Sequence, residues 1–165
     1  MQIIEKNEQN MKQPISSRGY DDLMSELRDL KEVDRPAILV AINEARKHGD
    51  LSENAEYASA REKQRHIDRR IIFLESIISN AQVIDIDSMS GDRAVFGAFV
   101  TVEDEDGNRM QCQLLSEIEA DGKQRIACTS PFGRAMLGKC KGDSCTVKTP
   151  SGDREYEVIE VRFRK

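Results

Sequence analysis

With 165 residues, of which 38% are hydrophobic, the chain is long enough for one ordinary domain or two small ones. Charged residues make up 33% of the chain and aromatic residues 5%, with no Trp, which favours long solvated helices over one thick core. A net charge of -5 argues against a general nucleic-acid coat protein, because such proteins bind phosphate through many Lys and Arg side chains. We therefore expect two small units, with any contact to nucleic acid confined to a local surface.

The N-terminal segment, residues 1–14, is predicted to be a flexible extension. Met1 to Gln13 is too polar for a secretory signal, and the chain contains no run of about 18 apolar residues. We therefore expect a cytoplasmic location and no contact with a membrane. Translation can start at Met1 or at Met11, and the residues alone leave that choice open.

The first arm of a predicted pair of helices begins near Ser17, where apolar residues start to recur at helical spacing. This stripe consists of Tyr20, Leu23, Leu27, Leu30, Ile38, Ile42 and Ala45. Pro36 interrupts the arm, because proline lacks the backbone N–H that an internal helical bond requires. We therefore expect a bend at Pro36.

The second arm has a more regular pattern, in which the seam positions are separated alternately by three and four residues. That alternation is the seam of a coiled coil, and the polar Gln64 helps to fix its register at some cost in stability. The seam consists of Tyr57, Ala60, Gln64, Ile67, Ile71, Leu74, Ile78 and Ala81. From Glu53 to Ala81 such a helix is roughly 40 Å long. Residues 15–82 are predicted to form an antiparallel coiled-coil hairpin, although a helical bundle formed by dimerisation would show the same periodicity.

The turn between the arms combines a glycine with two acidic residues. Gly49 is suited to end the first helix, because it accepts the left-handed backbone that often follows a helix C-terminus. Asp50 and Glu53 can form a capping box for the second helix, whose dipole favours negative charge at its start. The same two carboxylates can instead be ligands for Mg²⁺, which prefers oxygen atoms. Two acids at the end of a hairpin cannot enclose a metal ion alone, so another molecule would have to complete the site.

After Val83 the apolar residues alternate with period two, which predicts short strands separated by turns. Turn residues occupy 104–108 and 150–153, and Pro131–Leu137 is predicted to be one short helix ended by Gly138. Residues 83–165 are therefore predicted to form an antiparallel sheet with one helix, which gives the chain an α+β fold. The predicted strands are Ala94–Val102, Arg109–Leu115, Ile126–Thr129, Ser144–Lys148 and Tyr156–Phe163.

All four cysteines also lie in this second half. They form no CxxC pair, and their spacing differs from that of zinc sites. We therefore predict reduced, partly buried thiols. The four residues are Cys112, Cys128, Cys140 and Cys145.

Two longer segments resemble the sequence signatures of a known family. The run from Glu44 to Tyr57, followed by Ala60-Arg61-Glu62, is similar to the hairpin-tip signature of the Gre family of bacterial transcript-cleavage factors. The block from Ser130 to Lys139 resembles the C-terminal signature of that family. Shorter matches are Arg35-Pro36 and the segment from Asn80 to Asp85. The blocks occur in the expected order, and the resemblance spans about Pro14 to Phe163.

The resemblance implies a mechanism as well as a fold. In this family, the hairpin enters the secondary channel of RNA polymerase after the enzyme has backtracked and the RNA 3′ end has been extruded there. Asp50 and Glu53 match the tip acids, which help the polymerase active centre to hold Mg²⁺ and hydrolyse the transcript, and Arg46 and Arg61 match a basic spot for the RNA. Such a factor activates polymerase without being an enzyme, and it shares Mg²⁺ rather than binding it stably alone. At the tip, Leu51 fits the GreA branch better than the GreB branch.

The second half resembles the FKBP-like C-terminal domain of the family, which binds the rim of the channel. Ser130, Pro131, Arg134 and Lys139 match the signature block and are the predicted docking residues, although this block could simply cap the sheet. Two other functions stay open, namely a channel-binding inhibitor on the same fold and a prolyl isomerase or chaperone module. This half contains one Tyr, four Phe and no Trp, so it supplies few aromatic residues for an isomerase pocket.

Overall fold

The computed structural model describes residues 12–50 and 54–163, which form two compact units. Within the described residues, the hairpin unit comprises Tyr20–Ala81, and the sheet unit comprises Lys12–Gly19 together with residues 82–163. Most of the extension predicted for residues 1–14 therefore lies outside the described residues.

The N-terminal boundary between the units differs from the predicted one. Strand β1 (Gln13–Ser16) pairs with strand β2 (Ala81–Ile84) in a two-stranded sheet. Gln13 and Pro14 thus belong to a strand rather than to an extension, and pairing with β2 explains why residues 12–19 group with the sheet unit. The division into a hairpin domain, residues 15–82, and a docking domain, residues 83–165, stays a prediction.

The first arm consists of helix α1 (Ser17–Asp29), a π-helical turn (Leu30–Asp34) and helix α2 (Arg35–Arg46). Pro36 is the second residue of α2, and because it lacks an N–H it donates no backbone hydrogen bond to the helical turn before it. The π-helical turn directly before it is closed by the Arg35 N–H, which donates to the Leu30 carbonyl. The interruption predicted at Pro36 therefore takes the form of one wider helical turn.

The second arm is one long helix, α3 (Ala55–Asn80), which packs against α2 to complete the helical hairpin. Every predicted seam residue is buried or partly buried, and Leu74 is 0% exposed. Ala60 joins Ile38 and Ile42 in a buried cluster, against which Tyr57 also packs. The coiled-coil prediction is confirmed, and the two stripes bury each other within one chain, so dimerisation is not needed to cover them.

Ion pairs between the two arms reinforce this packing. The Arg70 guanidinium donates two hydrogen bonds, of 2.7 and 2.9 Å, to the carboxylate of Glu26. The hydrogen bond from Arg70 lowers the pKa of Glu26. Further pairs join Lys31 to Glu75 and Arg35 to Asp68. Because these side chains are partly exposed, each pair stabilises the hairpin by about 0–1 kcal/mol.

The sheet unit contains a five-stranded sheet in the order β5-β4-β3-β7-β6. Its strands are β3 (Phe99–Asp104), β4 (Arg109–Leu115), β5 (Arg125–Ala127), β6 (Ser144–Thr149) and β7 (Gly152–Arg162). The α+β architecture is confirmed, and β4 has the predicted bounds. The sheet is mixed rather than purely antiparallel, because β5 pairs parallel to β4 after the chain crosses back through residues 116–124.

The first predicted strand, Ala94–Val102, is shifted along the chain. Its early residues form an irregular segment in which the Ala94 N–H donates to the Lys139 carbonyl. Ala94 and Ala98 are both 0% exposed, so apolar residues buried in irregular backbone resembled a strand in the sequence. Regular pairing begins at Phe99.

The core of the sheet unit lies between the sheet and helix α4 (Pro131–Met136). Met136 and Val158 are 0% exposed, and Gly138 follows the helix with a φ of +83°, as predicted for its end. All four cysteines are free and at least partly buried, and burial raises the pKa of Cys112 to about 11. No helix among the described residues is long and apolar enough to cross a membrane.

Candidate functional site

The end of α2 leads directly into the turn that carries the predicted acids. The His48 N–H donates to the Ala45 carbonyl at 3.2 Å, and Gly49 has a φ of +109°. The prediction that Gly49 supplies a left-handed backbone after the helix is therefore confirmed. Asp50 follows as an exposed residue. Leu51–Glu53 lie outside the described residues, so the prediction for Glu53 has no structural counterpart here.

Helix α3 is capped by Asn54 rather than by the predicted capping box. Asn54 has extended dihedral angles, φ -84° and ψ 97°, and its Oδ1 atom accepts a hydrogen bond from the Tyr57 N–H at 3.0 Å. The interpretation of Asp50 as the helix cap is wrong, because α3 begins at Ala55 and its cap position is already occupied. Helix capping therefore does not account for an acidic residue at Asp50.

Asn54 also makes a contact that the sequence analysis missed. Its Nδ2 atom donates a hydrogen bond of 2.7 Å to the carbonyl of Ala45, in the last turn of α2. The sequence signal was available, since Asn directly before a helical run is a strong N-cap residue. A contact with the preceding helix could not be read from spacing alone.

Two exposed arginines, Arg46 and Arg61, lie near this end of the hairpin. The Arg46 guanidinium lies over the Tyr57 ring, 5.9 Å from its centroid, and Arg61 donates to the Gln64 Oε1 atom at 2.6 Å. Among residues 12–50 and 54–163, neither guanidinium is paired with a carboxylate. Neighbouring Lys47 and Arg65, by contrast, are ion-paired within their own helical turns.

In the sheet unit, the predicted docking residues differ in their surroundings. The Ser130 hydroxyl caps α4, because it accepts from the Gly133 N–H at 3.0 Å and donates to the Ala127 carbonyl at 2.7 Å. Pro131 and Arg134 are exposed on α4, whereas Lys139 is half-buried. The Ser130 hydroxyl is thus used to hold α4, whereas the side chains of Pro131 and Arg134 are exposed. Their role in docking stays a prediction.

The aromatic pair of the sheet unit is used for packing. The rings of Phe132 and Tyr156 meet edge to face with centroids 5.4 Å apart, and both pack against the buried core. Such an arrangement stabilises the fold. These rings therefore do not form the open aromatic pocket that a prolyl isomerase would need.

The described part of the turn carries one oxygen donor of the kind that binds Mg²⁺. The carboxylate of Asp50 is the kind of oxygen ligand that Mg²⁺ prefers. Within the part of the chain that the structure describes, no group of three or more His, Cys, Asp or Glu side chains could hold a metal ion. Asp50 could therefore contribute an oxygen to a site whose other ligands come from elsewhere.

Comparison with known proteins gives consistent matches over almost the whole chain. Residues 13–83 match a family model described as the N-terminal domain of transcription elongation factors, and residues 89–163 match the GreA/GreB C-terminal domain. The transcription elongation factor GreA of Rhodospirillum rubrum is 52% identical over 152 residues, which cover 91% of this chain and 97% of that protein. The corresponding factor of Anaeromyxobacter sp. is 49% identical over 152 residues, covering 91% of this chain and 92% of that protein.

Among solved structures, GreA factor homolog 1 of Thermus thermophilus matches with a TM-score of 0.42. It is 28% identical in sequence, and the match covers 90% of this chain and 97% of that one.

Proposed function

Because this chain belongs to the GreA/GreB family of transcription elongation factors, we propose that it stimulates RNA polymerase to cleave backtracked nascent RNA. The observation that carries the proposal is the exposed Asp50 in the turn between α2 and α3, a position that helix capping does not explain. The partner is bacterial RNA polymerase, and the hairpin reaches the polymerase active centre through the secondary channel.

The two tip acids would complete a metal site that belongs to the polymerase. Asp50 and Glu53 would each present carboxylate oxygens to Mg²⁺, and the polymerase would supply the remaining ligands and exclude bulk water. In phosphodiester cleavage, a pair of metal ions stabilises both the attacking and the leaving oxygen. The chain itself is a cofactor of the reaction rather than an enzyme.

The guanidinium groups of Arg46 and Arg61 would hold the RNA 3′ end beside these acids. Arg46 and Arg61 are exposed, and neither is neutralised by a carboxylate among the described residues. Guanidinium groups bind phosphate through paired hydrogen bonds. A small cationic spot of this kind suits one extruded RNA end better than a long duplex, in agreement with the acidic chain as a whole.

The sheet unit would dock on the rim of the channel. Pro131 and Arg134 are exposed on α4, with Lys139 half-buried after it, so these side chains can contact polymerase while Ser130 holds the helix in place. A cytoplasmic location, which the resemblance and the sequence predict, follows from a role in bacterial transcription.

The test is to add the protein with Mg²⁺ to a stalled, backtracked elongation complex and to measure the length of the labelled RNA over time. The proposal predicts faster shortening from the 3′ end than polymerase achieves alone. A channel-binding inhibitor would instead slow the intrinsic cleavage, and a prolyl isomerase would leave it unchanged. Either of those two outcomes would contradict the proposed function.

A further inference from the structure

The side-chain amide of Asn54 joins the two helices where they meet the turn. Its Oδ1 atom accepts from the Tyr57 N–H at 3.0 Å in the first turn of α3, and its Nδ2 atom donates to the Ala45 carbonyl at 2.7 Å in the last turn of α2. Ala45 is 3% exposed, and this second bond is partly buried. One side chain therefore holds both helix ends.

Helix capping alone does not require this second bond. The last carbonyls of a helix need partners from outside it, and the Ala45 carbonyl already accepts from the His48 N–H at 3.2 Å. An N-cap needs an acceptor, which Asp and Ser supply as well as Asn does. The Asn54 amide also carries an N–H donor. An ionised Asp side chain has no donor, and the Ser side chain is too short to donate over the same distance.

A second contact crosses the turn beside the Asn54 amide. Arg46, the last residue of α2, places its guanidinium over the ring of Tyr57, which itself packs on the cluster of Ile38, Ile42 and Ala60. The first turn of α3 is thus attached to the hairpin core and to the end of α2. Ala45 and Asn54 are nine residues apart, and the chain between them contains both predicted acids, Asp50 and Glu53.

We propose that Asn54 is a positioning residue for Asp50, and that it acts by fixing the distance between the two ends of the turn that carries this carboxylate. The inference rests on the proposed function. When the ends of a short segment are held, a side chain on that segment has fewer arrangements, so less entropy is lost when the Asp50 carboxylate meets Mg²⁺. The positioning should therefore matter most when Mg²⁺ is scarce.

The matched variants are Asn54→Ser and Asn80→Ser. Serine at position 54 keeps the cap acceptor and the net charge but removes the long donor to Ala45. Asn80 lies at the other end of α3, where its amide donates to the Ser76 carbonyl within the same helix. Each variant is added at saturating concentration to the backtracked complex across a series of Mg²⁺ concentrations.

We expect Asn54→Ser to slow RNA cleavage about tenfold at low Mg²⁺, since small misplacements of reacting groups have effects of that order or larger. High Mg²⁺ should restore part of the rate. The protein concentration that half-saturates polymerase, and the Tm, should equal those of Asn80→Ser, whose cleavage should match the wild type. A residue with a merely structural role would not change the Mg²⁺ requirement.

The positioning role is overturned if Asn54→Ser stimulates cleavage as fast as the wild type at every Mg²⁺ concentration. It is also overturned if the loss follows a weaker polymerase affinity or a lower Tm, because the amide would then serve stability alone. Asp50→Ala, run in parallel, separates this inference from the proposed function. Suppose that the wild type stimulates cleavage, Asp50→Ala does not, and Asn54→Ser stimulates it at the wild-type rate. Only the positioning role is then wrong. If the wild type does not stimulate cleavage, both proposals are wrong.

Discussion

In the sheet unit, one continuous cluster of buried residues includes Leu114 and Met136, both 0% exposed. In the hairpin unit, Ile38, Ile42 and Ala60 form a smaller buried cluster, which lies along the interface between α2 and α3. A two-helix interface has neighbours on one side, whereas a sheet covered by a helix encloses its core from several directions. The hairpin can therefore carry exposed functional groups on most of its surface, and the sheet unit can tolerate a docking surface without losing its core.

The largest expected effect concerns the two cores themselves. Leu114→Ala should lower the free energy of unfolding by about 3 kcal/mol, because it leaves a cavity in an enclosed core. Ile42→Ala should cost about 2 kcal/mol, since a hairpin interface can partly close around the missing atoms. Urea denaturation followed by circular dichroism measures both. A larger loss for Ile42→Ala would contradict the contrast between the units.

Replacing one glycine in each unit by alanine tests the same contrast, with a smaller expected loss of stability. A Cβ atom at Gly133 would lie 2.1 Å from the Ala127 carbonyl oxygen, so Gly133→Ala must displace α4 from β5 and should cost about 2 kcal/mol. A Cβ atom at Gly49 would meet no atom of the described residues within 4 Å, and its positive φ should make Gly49→Ala cost about 1 kcal/mol. Thermal melts compare them, and equal Tm values would show that the close approach at Gly133 is easily relaxed.

One arginine variant on the hairpin and one on the sheet unit can distinguish the predicted RNA contact from the predicted polymerase contact. Arg61→Ala should weaken crosslinking to the RNA 3′ end and leave polymerase binding unchanged. The slope of log affinity for RNA against log salt concentration should fall by about one, because one phosphate contact is lost. Arg134→Ala should weaken polymerase binding instead. Crosslinking yields and binding curves over a salt series measure both effects. If the two variants behave alike, the division between an RNA-contacting hairpin and a docking sheet unit is wrong.

The smallest expected effect is a pH dependence within the hairpin. The hydrogen bond from Arg70 lowers the pKa of Glu26 in the folded protein. The stabilisation is therefore fully present above the pKa of the unfolded carboxyl, and it is lost as the pH falls through the lower folded pKa. Because both side chains are 40% exposed, it should not exceed about 0.5 kcal/mol. Glu26→Gln should remove this part of the acid sensitivity, and an unchanged pH profile would show that the pair contributes nothing.

Periodicity was sufficient to predict the helical hairpin, because burial along one face imposes a repeat that the residues of α3 display openly. The same reasoning placed β4 and α4 well. It failed at Ala94, where buried small residues in irregular backbone imitated a strand. It also missed the parallel β4–β5 pair, since nothing in the local sequence reveals which way the chain returns to a sheet.

Local sequence preferences also predicted some residues of the candidate site and missed others. Gly49 was identified by its backbone preference, and Asp50 by its position between the arms. The cap was assigned to the wrong residue, because Asp50 and Asn54 are both suitable cap residues and the true helix start decides between them. The bond from Asn54 to Ala45 depends on how two helices meet, which a one-dimensional pattern does not contain.

The most direct test of the central claim measures RNA cleavage and polymerase binding separately for Asp50→Ala and Glu53→Ala. Asp22→Ala, which removes an exposed carboxylate from α1, is the control. The account predicts that either tip variant loses stimulated cleavage and still binds polymerase with the affinity of the wild type, while Asp22→Ala keeps both properties. Normal cleavage by the tip variants, or a loss of cleavage explained entirely by lost binding, would contradict it.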